Sequence, residues 1–238
     1  MRSDQPGFVD IHTHILHGVD DGATDLEQAM SMLEMAWADG THRIVLTPHY
    51  RRSFQKSPQE LREAFDTLRH AASIQLPEME LYLGAEIATF HEVPQLLREG
   101  KLLTINETNH VLAEFPPGVS RTNLFHGIDR LLDGGYIPVM AHAERCTIMT
   151  PQIAAELVRQ GVLLQVNAGS VLGKHGLRTM WLCRKLLKEG LVFCIASDAH
   201  DTQHRVPQLQ RCYKMIRNRY GERDARRLFI DNPECLLR

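Results

Sequence analysis

The chain has 238 residues, 43% of them hydrophobic, and a formal net charge of -2. This length is enough for one sizeable core, so we predict a single domain over residues 1–238. Acidic and basic residues are interspersed, which argues against a nucleic-acid partner and against an anionic membrane surface. The first residues are polar, and no apolar run is long enough to cross a bilayer. We therefore expect a soluble, cytoplasmic protein without membrane insertion.

Short apolar strands alternate with amphipathic helices, and capping signals mark where the helices begin and end. The segment 24–27, Thr-Asp-Leu-Glu, has the pattern of a capping box, and its helix is predicted to end at Gly40. The other predicted helix starts are Ser57-Pro58 and Thr150-Pro151, and the other predicted ends are Gly161 and Gly190.

Seven strands are predicted, near residues 8 to 12, 43 to 47, 81 to 87, 110 to 115, 136 to 141, 162 to 167 and 192 to 197. Repeated βα units predict an α/β protein with a parallel sheet, either closed as a barrel or open and doubly wound. Periodicity alone does not choose between them. No glycine-rich nucleotide loop follows any strand, and this favours the barrel.

Histidine and acidic residues follow the predicted strands, at the end where barrel enzymes carry their sites. His12 and His14 point to one face of the first strand, as two ligands of one metal ion require. The nine candidate metal ligands are His12, His14, Asp21, His49, Glu86, Glu114, His142, Asp198 and His200. Only the sixth strand lacks an obvious ligand.

Four carboxylates that converge on one barrel mouth could not all ionise without compensating cations. Five imidazoles and four carboxylates without a thiolate suit Mn, Fe, Zn, Co or Mg, and argue against a closed structural zinc site. Nine ligands exceed what one or two ions need when positions stay open for substrate. We therefore expect three divalent ions.

Taken together, these residues resemble the polymerase and histidinol phosphatase (PHP) superfamily. The superfamily pattern is H-x-H, a single His, Glu residues, His and a final D-x-H. Within it, the chain is similar to the bacterial metal-dependent tyrosine-protein phosphatases of capsule and exopolysaccharide loci. The motifs that carry this similarity are Val19-Asp20-Asp21-Gly22, Gly84-Ala85-Glu86-Ile87, Ala141-His142-Ala143-Glu144-Arg145, Ala196-Ser197-Asp198-Ala199-His200 and Phe229-Ile230-Asp231-Asn232-Pro233.

The resemblance implies a distorted seven-stranded (β/α)7 barrel of the PHP type, with a trinuclear site, Mn first among the metals, at the C-terminal ends of the strands. One ion would bind His12, His14, Glu86 and Asp198, a second Glu86, Glu114 and His142, and a third Asp21, His49 and His200. The resemblance also implies that the substrate is a phosphotyrosyl protein, in particular the C-terminal tail of a bacterial tyrosine kinase that controls polysaccharide synthesis.

Two arginines match the family motifs, and we expect both to act in catalysis. Arg145 follows His142 by three residues, and Arg205 follows His200 by five. Guanidinium groups suit a phosphate dianion. The hypothesis is a hydroxide, made available by the metals, that attacks phosphorus while the arginines neutralise charge on the equatorial oxygens. Phe54, Phe90 and the segment Phe115-Pro116-Pro117 are candidates for lining the mouth, where an aromatic ring would stack, and core packing explains such residues equally well.

Several alternatives stay open. A PHP phosphatase for a small phosphomonoester such as histidinol phosphate is the main one. A PHP nuclease should have a basic groove, and a metal-binding adaptor should have lost ligands; this sequence shows neither. A cysteine-based phosphatase needs an arginine six residues after its cysteine, and Cys212 with Arg217 is one residue short. His17 lies in the first βα loop and is a candidate for substrate contact, whereas His91, His175 and His204 are loop candidates with no motif behind them.

Overall fold

The computed structural model describes residues 7–51 and 53–238, so most of the polar N-terminal segment considered above lies outside the described residues. Strands and helices alternate, and within the described ranges all strand pairs are parallel. The strands are β1 (Phe8–Thr13), β2 (Thr41–Leu46), β3 (His49–Tyr50), β4 (Glu80–Leu83), β5 (Glu86–Ala88), β6 (His110–Glu114), β7 (Ile137–Met140), β8 (Leu163–Asn167) and β9 (Cys194–Ala196).

Helices connect the strands and are mostly short. They are α1 (Leu26–Asp39), α2 (Pro58–Gln75), α3 (Val93–Arg98), α4 (Arg121–Asp133), α5 (Pro151–Arg159), α6 (Ala168–Val171), α7 (Leu177–Lys188), α8 (Gln210–Tyr220), α9 (Glu222–Arg226) and α10 (Asn232–Cys235). Two 3₁₀ turns, Ile105–Glu107 and Ala143–Arg145, and a π-helical turn, Arg227–Asp231, complete the chain's helical elements in the described ranges.

The strands form two neighbouring sheets, ordered β1-β2-β4 and β3-β5-β6-β7-β8-β9. The predicted alternation of parallel strands and helices is therefore confirmed. The count differs, with nine strands across the described ranges, because the second strand is interrupted before His49 and the third is split between Leu83 and Glu86. Pro48 lies in the first interruption and has no backbone N–H to donate to a ladder. Hydrogen bonds from Gly84 N to Leu46 O and from Glu86 N to Pro48 O bridge both gaps.

The first and last strands are also joined through their ends. The backbone N–H of His14 donates to Ala199 O at 2.8 Å, and that of Asp198 donates to His12 O at 2.9 Å. These two bonds bring the loop after β9 against the end of β1. Both loops carry candidate metal ligands, so the contact lies directly at the predicted site.

The strands bury both of their faces, as expected when helices cover the outside of a parallel sheet. On β6, Val111 and Ala113 belong to the large apolar cluster that packs under the helices, whereas Leu112 belongs to a smaller cluster with Val9 and Val139. The near-continuous apolar runs of the sequence follow from this two-sided burial.

Helix boundaries follow the capping signals closely. Ser57 and Glu60 make the capping box predicted for α2, and Thr150 caps α5. One assignment was wrong by a residue: Asp25, not Thr24, caps α1, because its carboxylate accepts from Gln28 N at 2.8 Å. Gly40 ends α1 with φ 100°, a left-handed conformation that glycine adopts without steric cost.

Helix α8 is capped by a distant residue. The Asp39 carboxylate Oδ2 accepts from the backbone N–H groups of Leu209 at 2.6 Å and Gln210 at 2.8 Å. We expect Asp39→Ala to destabilise the fold by about 1–2 kcal/mol, since a lost cap costs this much. The melting temperature should then fall by roughly 2–8 °C, measured by circular dichroism. Asp129→Ala, at an exposed position of α4, is the control, and an equal loss there would contradict the role of Asp39.

Candidate metal centre

The nine predicted ligands lie at the strand ends and converge on one region. His12 is in β1, His49 begins β3, Glu86 begins β5, and Glu114 ends β6. The other five, in the loops after β1, β7 and β9, are His14, Asp21, His142, Asp198 and His200. Seven of the nine are buried; Glu114 is partly exposed, and Asp21 is exposed.

Glu86 lies at the centre of the cluster and is fully buried. Its Oε1 is 2.8 Å from His142 Nε2, and its Oε2 is 2.8 Å from His49 Nδ1. The same Oε2 lies 3.3 Å from the Nε2 atoms of both His12 and His14, which are 3.2 Å from each other. One carboxylate thus faces four imidazoles, so Glu86 would supply ligand atoms to a cation held by these histidines.

The outer part of the cluster surrounds Asp21. Its Oδ1 is 3.5 Å from His49 Nε2 and 3.7 Å from His200 Nε2. Together with His14, these residues form one of four groups whose ligand atoms all lie within 4.8 Å of one another. The other groups are His12, His14 and Asp198; His12, Glu86 and His142; and His49, Glu86 and Glu114. The four groups include all nine predicted ligands, although they share members differently from the three sets that the resemblance implies.

The ligand atoms of the cluster are arranged for binding metal ions rather than for hydrogen bonding to one another. Glu86 Oε2, His49 Nδ1 and His200 Nε2 are buried and, despite the short distance between the first two, make no hydrogen bond of good geometry among the described residues. Such atoms are costly unless a cation is bound. His12 Nδ1 donates to Gln165 Oε1 at 3.0 Å, and His14 Nδ1 donates to Asp20 Oδ2 at 2.7 Å. These bonds leave the Nε2 lone pairs directed at the cluster, as metal ligation requires.

Protonation and metal binding compete at these nitrogens. Burial disfavours the imidazolium form of His14, but the hydrogen bond to Asp20 and the negative charges of Asp20 and Glu86 outweigh burial and raise its pKa to about 10. Burial, with the nearby His14 charge, lowers the pKa of His200 to about 3. In the metal-free chain, part of the carboxylate charge is therefore balanced by protons. Binding of divalent ions would displace those protons.

The sixth predicted strand, which offered no ligand, supplies the support for the others. On β8, Gln165 Oε1 accepts from His12 and from the backbone N–H of His142, at 3.0 and 2.8 Å. Gln165 Nε2 donates to Asn167 Oδ1 at 2.7 Å, and Asn167 Nδ2 donates to Asp198 Oδ2 at 2.6 Å. A chain of amides thus orients candidate ligands from three strands. The sequence signal was the pair of polar residues at alternate positions of an apolar strand.

Asp20 orients two candidate ligands at once. Its Oδ2 accepts from His14 Nδ1 at 2.7 Å and from the backbone N–H of His49 at 2.9 Å, and its Oδ1 accepts from Gly22 N at 3.0 Å. Burial opposes ionisation of Asp20, yet these bonds prevail and lower its pKa to about 2. The Asp-Asp-Gly motif therefore combines an orienting carboxylate, Asp20, with a candidate ligand, Asp21.

Gly22 is required by a close backbone approach. A Cβ at this position would lie 1.9 Å from the carbonyl oxygen of His14, which is backbone and has no room to move. We expect Gly22→Ala to displace the loop, cost about 1–3 kcal/mol of stability and weaken metal binding roughly 10- to 100-fold. Mn²⁺ titration by calorimetry measures the affinity. The control is Gly118→Ala, where a Cβ would meet nothing within 4 Å; equal affinities in both variants would contradict the packing argument.

Both predicted catalytic arginines contact Asp198. Arg205 Nη2 donates to Asp198 Oδ1 at 2.6 Å, and Arg145 Nη1 lies 3.1 Å from Asp198 Oδ2. Arg145 Nη2 also donates to His175 Nε2 at 3.2 Å, and the other ring nitrogen of His175 bonds to Ser170 Oγ at 3.1 Å. His175, which no motif singled out, therefore positions Arg145. Of the other loop histidines, His204 lines a cavity beside Asp198.

Two of the four non-glycine residues with positive φ in the described ranges lie at the site, and the other two, Asn106 and Glu107, lie in a 3₁₀ turn. His142 and Asp198 have φ values of 32° and 56°, in the left-handed region that residues with a Cβ rarely adopt. Their backbone N–H groups are held by Gln165 and by His12 O, respectively. Strained residues of this kind cluster at functional sites, where the surrounding bonds hold them in place.

The aromatic candidates differ in location. The Phe54 ring stacks on the imidazole of His49, with centroids 6.3 Å apart and an interplanar angle of 12°, and Phe90 stacks on Tyr50 at 6.3 Å. The side chains of Tyr50, Phe54 and Phe90 are partly exposed. Phe115 is instead buried in the core, where it packs closely on Gly127, so it does not line the mouth.

Cys212 is excluded as a nucleophile because its thiol is fully buried and burial raises its pKa. Membrane association through a spanning helix also finds no support in the described ranges, where no helix combines the necessary length and apolar character.

A parallel α/β fold with a histidine-carboxylate cluster at the strand ends defines a class of metal-dependent hydrolases. Residues 8–238 match the family model described as "Capsular polysaccharide synthesis, CpsB/CapC". The chain belongs to this family.

Relatives share nearly their whole length with the chain. Tyrosine-protein phosphatase YwqE of Bacillus subtilis is 33% identical over 97% of this chain and 92% of its own. Tyrosine-protein phosphatase CpsB of Streptococcus agalactiae is 30% identical over 97% of this chain and 98% of its own. A crystal structure from work on YwqE and on CpsB of Streptococcus pneumoniae, described as unique metal-dependent tyrosine phosphatases, superposes with a TM-score of 0.89. It is 32% identical and covers 96% of this chain and 94% of that chain.

Proposed function

We propose that this chain is a metal-dependent tyrosine-protein phosphatase, a phosphoric monoester hydrolase that uses no cysteine nucleophile. The observation that carries the proposal is the convergence of five imidazoles and four carboxylates around the buried Glu86, with several donor atoms left unbonded. The named activity of the CpsB and YwqE relatives supports the same conclusion.

Three divalent ions, with manganese first, are part of the proposal. The ligand sets that we propose are His12, His14, Glu86 and Asp198; Glu86, Glu114 and His142; and Asp21, His49 and His200. The short distances within the four compact groups support these residues as ligands. When bound, the ions act as Lewis acids on the phosphoryl oxygens and make hydroxide available near neutral pH.

Arg145 and Arg205 are proposed to bind the phosphoryl group. Each guanidinium has five N–H donors, and the contacts to Asp198 and His175 leave others free to face the substrate. Both side chains are partly exposed at the mouth, with 28% and 37% of their surface accessible. Their charge would stabilise the equatorial oxygens as the leaving group departs.

The leaving group and the site walls together favour an aryl ester. A phenol, with a free pKa of about 10, leaves more readily than an alkyl alcohol, so the demand for a general acid is small. The exposed faces of Tyr50, Phe54 and Phe90 provide stacking surface beside His49. An aromatic pair contributes about 0.5–1.5 kcal/mol beyond its buried area.

The partner that we propose is the C-terminal tail of a bacterial tyrosine kinase in a capsule or exopolysaccharide system, which fits the family description. The reaction would occur in the cytoplasm, where ATP-dependent kinases act. We further propose that the two sheets belong to one distorted seven-stranded barrel in a single domain. The hydrogen bonds between the ends of β1 and β9 and across the gaps at Pro48 and Gly84 support this.

The proposal is tested by comparing substrates on the metal-loaded chain. We expect kcat/KM for a phosphotyrosyl peptide to exceed that for histidinol phosphate by about tenfold or more, since stacking alone accounts for up to this ratio. Phe54→Leu should narrow the difference, whereas Phe125→Leu on α4 should preserve it. Faster turnover of histidinol phosphate would instead favour a small-metabolite phosphatase.

A further inference from the structure

A cavity of about 320 Å³ opens beside the metal centre. Its walls come from the loops after β7, β8 and β9 and from the first turn of α8. Asp198 and Ser197 line it, so it adjoins the cluster through Asp198. The Oδ1 atom of Asp198 is 3.6 Å from the Nε2 atoms of His12 and His14, and its Oδ2 is 3.1 Å from Arg145 Nη1. Asp198 thus faces both the histidine cluster and the cavity.

The cavity lining is strongly basic. Its cationic side chains are Arg145, Lys174, Arg205 and Arg211, and Asp198 is the single acidic residue of the lining in the described part of the chain. Arg145 and Arg205 already contact that carboxylate. Lys174 and Arg211 have no ion-pair partner among the residues that the structure describes. The lining therefore carries two cationic side chains that pair with no carboxylate of the described residues.

The pKa of His175, which lines the cavity, responds to this positive charge. Its pKa is lowered, first by burial and then by repulsion from Arg145, which outweighs the attraction of Asp198; Arg205 and Lys174 add to the repulsion. Four separate segments of the chain contribute these cations, because Arg145 follows β7, Lys174 precedes α7, Arg205 follows β9 and Arg211 lies in α8. Convergence of four segments on one concave surface distinguishes the cavity from a row of surface lysines.

We propose that this cavity is an anion subsite that binds a negatively charged residue of the substrate peptide close to the phosphotyrosine. This inference rests on the proposed function. The ligand is a carboxylate or a second phosphate on the same peptide, since both would balance Lys174 and Arg211. The preferred substrate is then an acidic or multiply phosphorylated tyrosine segment. Lys174 and Arg211 are the specificity-determining residues, because Arg145 and Arg205 also face the reacting phosphate.

Three phosphotyrosyl peptides of equal length test the subsite on the metal-loaded chain at low ionic strength. The first has glutamine on both sides of the phosphotyrosine, and the second has glutamate there. In the third, phosphonomethyl-phenylalanine stands beside the phosphotyrosine as a dianion that cannot be hydrolysed. We expect KM for the two charged peptides to be about five- to tenfold lower, from one or two ion pairs, with a preference that weakens as salt is added. Comparison of KM between the glutamate peptide and the phosphonate peptide shows whether the subsite prefers a carboxylate or a phosphate.

Charge-matched variants separate a local subsite from general attraction. In Lys174→Gln/Arg211→Gln the ratio of kcat/KM between charged and neutral peptides should fall to about one or two. Lys188→Gln/Arg219→Gln removes the same charge from exposed positions of α7 and α8 outside the cavity, and should keep the wild-type ratio. The single variant Lys174→Gln, with an intermediate ratio expected, guards against misfolding of the double variant.

Equal kcat/KM of the wild type on all three peptides would overturn the subsite and leave the proposed function intact. An equal loss of preference in both double variants would also overturn it. Failure of the metal-loaded wild type to hydrolyse any of the peptides would instead contradict the proposed function.

Discussion

Complete removal of divalent ions is expected to abolish hydrolysis of an aryl phosphate by this chain. The nine converging side chains provide nucleophile activation only through the ions that they would hold. Loss of a Lewis acid and of an activated water removes several kcal/mol of transition-state stabilisation, so the rate should fall by about 10³-fold or more. The measurement is the initial rate on p-nitrophenyl phosphate after chelation and gel filtration, followed by addition of Mn²⁺. Activity that survives verified metal removal would refute the mechanism.

Single-residue variants should reproduce the effect of chelation. His14→Ala and Glu86→Gln each remove donor atoms from the centre of the cluster, where Glu86 Oε2 lies 3.3 Å from His14 Nε2. We expect losses of about 10³-fold in kcat together with a reduced metal content by elemental analysis. His70→Ala, on the exposed side of α2, is the matched control and should behave as wild type. A His14→Ala variant with the full rate would exclude His14 from the centre.

The helices and most strand positions could be predicted because their signals are local. Ser57 and Glu60 form the reciprocal hydrogen bonds of a capping box within one turn, and Gly40 ends α1 because of its own positive φ value. The broken strands could not be predicted in the same way. The gaps at Pro48 and Gly84 are bridged by hydrogen bonds to residues on other segments, so continuity there depends on the tertiary arrangement.

Convergence of the site was predictable from topology, since parallel strands bring their carboxyl ends together. The orienting groups were harder to predict because their partners are distant. Gln165 meets His12 across 153 residues of sequence, and Asp39 reaches Gln210 across 171. The roles of His175 and Lys174 depend on where loops fold back, and no periodic pattern encodes that. The candidate ligands at the strand ends could therefore be predicted from the sequence, whereas the distant residues that orient them could not.

Arg145 and Arg205 are expected to contribute to the chemical step more than to metal binding. Arg145→Ala and Arg205→Ala should each lower kcat/KM on p-nitrophenyl phosphate by about 10²- to 10³-fold, the usual effect of removing a donor that stabilises transition-state charge. Lysine should restore the charge but not the forked geometry, so Arg145→Lys should recover only part of the rate. Arg223→Ala, at an exposed position of α9, is the control.

Metal content separates the two roles of these arginines. Both contact Asp198, so their loss could act by releasing a ligand of the metal site. In that case Mn²⁺ affinity would fall in parallel with kcat/KM, and excess metal would restore the rate. If the guanidinium groups act on phosphate, the variants should bind Mn²⁺ normally and stay slow at saturating metal. Wild-type kcat/KM in both alanine variants would exclude a catalytic role for either arginine.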